Sequence, residues 1–200
     1  LSPQDRLKSA HVAAGLGVFS SQSLVDLYST IYDSTDPGDL PETDAWQLRQ
    51  AIRAREPRLV LGGWANPYGA AAGQVDYLLD DRFTAEFYLT QIVSHLNVDP
   101  VEQFLKEARS RAMTLPGVFG VFYYRSANPK TLRTLAQFLP VPVDNLIAEF
   151  AGGATPIDIC ARTLRTMMDL GVRHFYISNL PLATASSTLA AILQRVGVTA

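Results

Sequence analysis

The chain of 200 residues contains one cysteine, Cys160. An internal disulfide is therefore impossible, and a reducing compartment such as the cytoplasm is expected. A charge surplus is also missing: 17 basic and 19 acidic residues leave a net charge of -2 and a pI near 5.9. Nucleic acid is not an expected partner, because phosphate-backbone binders carry a basic excess. No apolar run approaches the roughly 20 residues that span a bilayer, so no membrane partner is expected. No secretory signal pattern opens the chain. It has no Gly-x-Gly-x-x-Gly and no Gly-x-x-x-x-Gly-Lys-Ser/Thr loop, so neither a common dinucleotide site nor a P-loop has support. No His, Cys, Asp and Glu residues stand at metal-ligand spacing, and no Gly-x-Ser-x-Gly elbow is present.

What remains is a globular composition, 48% hydrophobic and 18% charged, with a mean hydropathy of +0.07. That excludes a disordered chain and a collagen-like fibre. The first residue is Leu1 and not Met, from which an upstream portion is expected.

The sequence changes character near Pro57. Residues 1–56 read as a helical segment of unassigned role. One helix is expected from Pro3 to about Ala14, a second after Ser20 or Ser21, and a third from about Thr43 to Arg55. The breaker-rich stretch from Asp33 to Pro41 separates the last two. Residues 57–200 alternate strands with helices. Apolar runs predict strands at Arg58 to Trp64, Ala85 to Val93, Gly117 to Tyr124 and His174 to Asn179. Helices are expected at Gln74 to Asp81, from Asp99 and Pro100 onward, and after the Asn128 cap with Leu132, Leu135 and Phe138 inward. Further helices are expected at Val143 to Phe150, Pro156 to Leu170 and Ala183 to Val196.

Near-continuous apolar strands separated by helices predict a parallel sheet with covered faces. An open doubly wound sheet and part of a (β/α)8 barrel both fit. Each strand finishes in aromatic or polar residues, which favours the partial barrel, whose active site gathers at the carboxyl ends of its strands. The expected fold is thus α/β, about four parallel strands of a TIM barrel behind a helical N-terminal segment.

Three motifs then stand out: Phe87 to Gln91 (FYLTQ), Leu115 to Phe119 (LPGVF) and His174 to Asn179 (HFYISN). In order and spacing they resemble the C-terminal half of the methylenetetrahydrofolate reductase family, over residues 58–198. The resemblance implies an oxidoreductase of one-carbon metabolism. In that family NAD(P)H reduces FAD, and the flavin passes hydride to 5,10-methylenetetrahydrofolate. Position by position it implies that Gln91 and Asn179 contact the folate. It places Trp64, Tyr68, Ala71, Asp76 and Arg82 around the flavin, with Arg82 on its phosphates. The chain departs from the family at Phe83, where a second cation is expected, and at Leu180, where an arginine is. The family's first-strand glutamate and its Arg-Gly-Asp loop have no counterpart. The alternatives left open are a fragment of a longer enzyme, a chain completed by a second copy or a partner subunit, and a non-catalytic folate- or flavin-binding relative. Some members of the wider family work without tightly held FAD.

Other residues carry narrower expectations. Arg125 follows an aromatic strand that could stack on a planar ligand, with the guanidinium binding an acidic tail. His95 can reach the mouth formed by the strand ends, although a structural role is the simpler expectation. His174 is expected to be structural, His11 exposed and Cys160 packed.

Overall fold

The structure is a computed structural model that describes residues 45–197. The two helices expected before residue 33, His11 and the Asp33 to Pro41 loop lie outside the described residues. The described residues divide into two compact units, residues 45–63 with 81–86, and residues 64–80 with 87–197.

In the first unit, α1 (Ala45–Arg55) precedes a short 3-10 turn at Asp81–Phe83. Phe83 is buried, and the Arg49 guanidinium lies 5.0 Å from its ring centroid, a cation–π contact. Gly63 is required beneath it, because a Cβ there would come within 2.1 Å of the ring. Glu86 ties the segment together. Its carboxylate accepts from the Leu61 N–H at 2.7 Å and pairs with Arg53, and its own N–H donates to the Leu61 carbonyl. These bonds hold Leu61 to the 81–86 segment, and β1 (Gly62–Ala65) begins only after it, four residues later than expected. Val60, expected within that strand, is 70% exposed.

The second unit contains Trp64 and Ala65 of β1, then α2 (Ala71–Leu79), β2 (Phe87–Val93), α3 (Asp99–Ser110) and β3 (Gly117–Phe122). It continues with α4 (Pro129–Leu135), α5 (Val143–Ala151), α6 (Pro156–Asp169), β4 (His174–Ser178) and α7 (Ala185–Val196). Local chemistry sets several of these boundaries. Asn128 caps α4 by accepting from the Thr131 N–H at 3.2 Å, with Pro129 at the first helical position. Thr155 and Asp158 form a reciprocal capping box at the start of α6. Because α4 stops at Leu135, Phe138 falls in the turn beyond it. There it is 76% exposed and not inward as its helical spacing predicts.

The sheet runs β1-β2-β3-β4 in chain order, with β2–β3 and β3–β4 both parallel. The β3–β4 register is unbroken from Val118 beside His174 to Phe122 beside Ser178. In β2, Leu89 stands beside Val118 and Ile92 beside Gly120, so three steps on β2 match two on β3. Thr90 and Gln91 therefore form a β-bulge.

Register sorts the strand residues into two faces. Tyr88, Val93, Phe119, Val121, Phe175 and Ile177 share one face. Phe104 of α3 meets the edge of the Tyr88 ring at a centroid distance of 6.0 Å on that side. Phe175 and Ile177 join α6 and α7 around an apolar cleft of about 500 Å³. Tyr88, Val93, Phe119 and Val121 are all buried. On the opposite face Leu89, Val118, Phe122, Tyr176 and Ser178 are half-buried, Ile92 is buried, and Phe122 packs against a cluster that includes Leu132 of α4 and Leu146 of α5. The helices α3, α6 and α7 thus cover one side of the sheet.

Asp158 in the first turn of α6 pairs with Arg195 in the last turn of α7 at 2.7 Å, and Arg165, further along α6, donates to the Arg195 carbonyl.

Candidate functional site

The carboxyl ends of β2, β3 and β4 carry the polar residues singled out in the sequence. Gln91 occupies the bulge. Its side-chain oxygen accepts from the Ile92 N–H at 3.1 Å, which leaves the amide NH2 without a partner among the described residues. The bulge is held by its neighbours. The Thr90 hydroxyl donates to the Gln91 carbonyl at 2.8 Å and accepts from the Gly120 N–H at 3.1 Å. The Tyr176 hydroxyl donates to the Thr90 carbonyl at 2.7 Å. Thr90 is fully buried, so each of these bonds replaces a ladder bond that the bulge removes.

Arg125 and Asn179 come together past the ends of β3 and β4. Asn179 adopts a left-handed conformation, φ 67°, which asparagine tolerates better than most residues. Its amide donates to the Tyr123 carbonyl at 2.9 Å. Arg125 donates from Nε to the Asn179 carbonyl at 3.0 Å and from Nη2 to the Leu180 carbonyl at 3.1 Å. Asn179 is thus first a pin between two strand ends, with its side-chain oxygen left over. Arg125 keeps Nη1 for a further acceptor. The aromatic run before it is mostly interior: Phe119, Tyr123 and Tyr124 are buried, and Phe122 packs on Tyr124 with centroids 5.0 Å apart. Burial pushes the Tyr124 phenol up, with nearby Tyr68 adding to the rise.

A polar cluster lies just beyond β2. His95 Nδ1 is 2.8 Å from the Thr163 hydroxyl of α6, and Nε2 is 3.0 Å from Glu149 Oε1 of α5. The same carboxylate oxygen accepts from Arg162 at 2.8 Å, while Glu149 Oε2 is buried without a partner. Thr163 also donates to the Ile159 carbonyl at 3.2 Å. The sequence marks His95, but not Glu149 or Thr163. These lie 54 and 68 residues away, and only the tertiary fold joins them.

The residues that the resemblance places around a flavin are more scattered. Trp64 is 47% exposed at the end of β1, so it is not core bulk. Tyr68 is half-buried, and its hydroxyl makes no hydrogen bond of ordinary geometry, although the Ser94 backbone is near enough to act on it. Burial pushes its phenol up to about 12. Ala71 is the first residue of α2. Asp76 is exposed and pairs with Arg111, which also holds Glu107. Arg82 sits exposed in the 3-10 turn of the first unit, whereas the other four belong to the second. Phe83 is core.

Cys160 is buried in α6, and burial pushes its thiol up to about 12, which makes it inert packing. His174 begins β4 and is exposed. Among the described residues no His, Cys, Asp or Glu group could hold a metal ion, and no helix is long and apolar enough to cross a membrane. Compared with known proteins, the chain matches no family model and no curated sequence.

Proposed function

We propose that residues 57–200 form the C-terminal half of a methylenetetrahydrofolate reductase-like (β/α)8 barrel that binds a reduced folate across the carboxyl ends of β2, β3 and β4. Joined to the rest of a barrel, by its own chain or by a partner, it acts as an oxidoreductase with NAD(P)H as hydride source. The observation that carries this reading is the bulge at Thr90–Gln91. It sits on the strand bearing the first motif, and bulges re-aim side chains beside barrel rims and active sites. Strand order in chain order supports a barrel over a doubly wound sheet, whose strand order changes direction.

The residues then have distinct tasks. Gln91 presents its free amide NH2 to an acceptor on the pterin edge. Arg125 offers Nη1 to the carboxylate tail of the folate. Asn179 positions Arg125 and lends its side-chain oxygen. FAD, when bound in this family, supplies a two-electron relay. The residues present do not fit its phosphate end. The position for a second cation is Phe83, buried against Gly63. Asp76 is engaged by Arg111. No step is therefore routed through a flavin. A second reading, a folate-binding subunit without catalysis, is favoured by the same two observations.

Tryptophan fluorescence titrated with tetrahydrofolate tests the binding. Saturable quenching that weakens about tenfold in Gln91→Ala, the effect of one lost hydrogen bond to a polar ligand, supports the site. No quenching, or equal affinity in the variant, rejects it. Oxidation of NAD(P)H with methylenetetrahydrofolate separates the enzyme from the binding subunit.

A further inference from the structure

Three arginines converge on one hollow of the second unit, at a place the folate reading does not use. The hollow has a volume of about 380 Å³. Gly152 and Gly153 form one wall, α6 supplies Asp158, Arg162 and Arg165, and α7 supplies Arg195. Arg162 and Arg165 are three positions apart and so neighbours on the helix surface. The packing of α7 against α6 brings Arg195 to them.

Three positive charges and one negative line this hollow, in a chain whose net charge is -2. Glu149 and Asp158 balance Arg162 and Arg195, so the hollow is left with the uncompensated charge of Arg165. Each guanidinium is also anchored. Arg162 is held by Glu149 at 2.8 Å, Arg195 by Asp158 at 2.7 Å, and Arg165 by the Arg195 carbonyl. Such anchoring fixes the forks before a ligand arrives and reduces the entropy lost on binding. A guanidinium carries five N–H donors, so each anchored fork keeps donors for a ligand. Arg165 has no carboxylate partner among the described residues.

We propose that this hollow binds a small phosphorylated anion. Planar forks match the paired oxygens of a phosphate, and the absence of lysine from the lining points to forked rather than point-charge recognition. The phosphate lies against Arg162 and Arg165, with Arg195, held by Asp158, at its edge. The volume falls within the range of small-molecule sites, roughly 300–1,000 Å³, so the hollow takes a pyrophosphate or a phosphate with part of its carbon skeleton.

Calorimetric titration of the 200-residue protein tests this with sodium pyrophosphate, inorganic phosphate and, as a carboxylate of similar charge, glutarate. Arg165→Ala is the informative variant because it strands no carboxylate and suits a helix. Arg133→Ala on α4 removes the same charge from outside the hollow, and circular dichroism checks that both variants fold. The expected result is one saturable pyrophosphate site that weakens about tenfold or more in Arg165→Ala, stays unchanged in Arg133→Ala and loses affinity with added salt. Absence of saturable binding by both phosphate probes would overturn the proposal. Equal losses in the two variants, showing diffuse charge attraction, or glutarate binding as tightly as pyrophosphate would do the same.

Discussion

Gly120 is the position where a single methyl group should reveal how the bulge is held. It faces Tyr176 across the β3–β4 pair, and an added Cβ would lie 2.4 Å from the Tyr176 hydroxyl oxygen and 2.5 Å from the adjoining ring carbon. Neither strand backbone can give way easily, so the ring must swing aside. Its hydroxyl then leaves the Thr90 carbonyl, now 2.7 Å away. Overpacking of this kind costs about 1–3 kcal/mol. Losing a part-buried hydrogen bond adds about 1 kcal/mol. Gly120→Ala should therefore destabilise the protein by about 2–4 kcal/mol. In a Tyr176→Val background both penalties are already gone, and the same change should cost less than about 1 kcal/mol, since alanine restricts the unfolded chain more than glycine does. Urea unfolding of the wild type, both single variants and the double variant, followed by tryptophan fluorescence, measures the coupling. About 2 kcal/mol is expected, typical of residues in direct contact. Gly120→Ala costing the same in both backgrounds would refute the reasoning. Because Thr90 joins Tyr176 to Gln91, Gly120→Ala should also weaken tetrahydrofolate binding in the proposed site.

Three further outcomes follow from single contacts. Cys160 should resist a disulfide-exchange reagent in the native protein and react fully in urea; rapid native labelling would contradict its burial. Thr155→Ala should cost about 1 kcal/mol near neutral pH through loss of the helix cap. The Thr155 hydroxyl and backbone hold the Asp158 carboxyl below its usual 3.8, so this pairing stabilises the fold above that value and fades as pH falls through the lowered one. The stability gap between wild type and Thr155→Ala should therefore narrow in acid, and a constant gap in denaturation series across pH would count against the box. His95→Ala should cost about 2 kcal/mol, because it removes one of two partners from a carboxylate whose other oxygen is already alone. A thermal melt indistinguishable from wild type would show the cluster to be idle.

The strands of the second unit were legible because continuous apolar runs between breakers have few alternatives. Asn128 and Pro129 announced their helix through local chemistry that acts within four residues, whereas the Thr155 cap appeared only in the structure. Errors came where distant contacts decide. Arg58 to Leu61 has the composition of a strand, yet Leu61 is held by the Glu86 carboxylate. Phe138 has helical spacing, but its helix ends before it. Gln91 was visible as a motif residue, but the bulge that displays it depends on Tyr176, 86 positions from Thr90. Asn179 was legible as a polar strand end, while its left-handed backbone and its bond to Tyr123 were not. Neither Glu149 beside His95 nor the gathering of Arg162, Arg165 and Arg195 leaves a trace in local spacing, because both depend on how α5, α6 and α7 pack.

The return of residues 81–86 to the first unit has a practical result for anyone cutting this protein apart. A ribosome must deliver the first strand's end, all of α2 and the following turn before Phe83 can reach its place against Gly63. Expression of residues 1–63 alone would leave Gly63 and Arg49 without the Phe83 ring, and a clone starting at residue 64 would carry an orphaned phenylalanine. The boundary can be crossed by a graft of two segments, but not by one truncation.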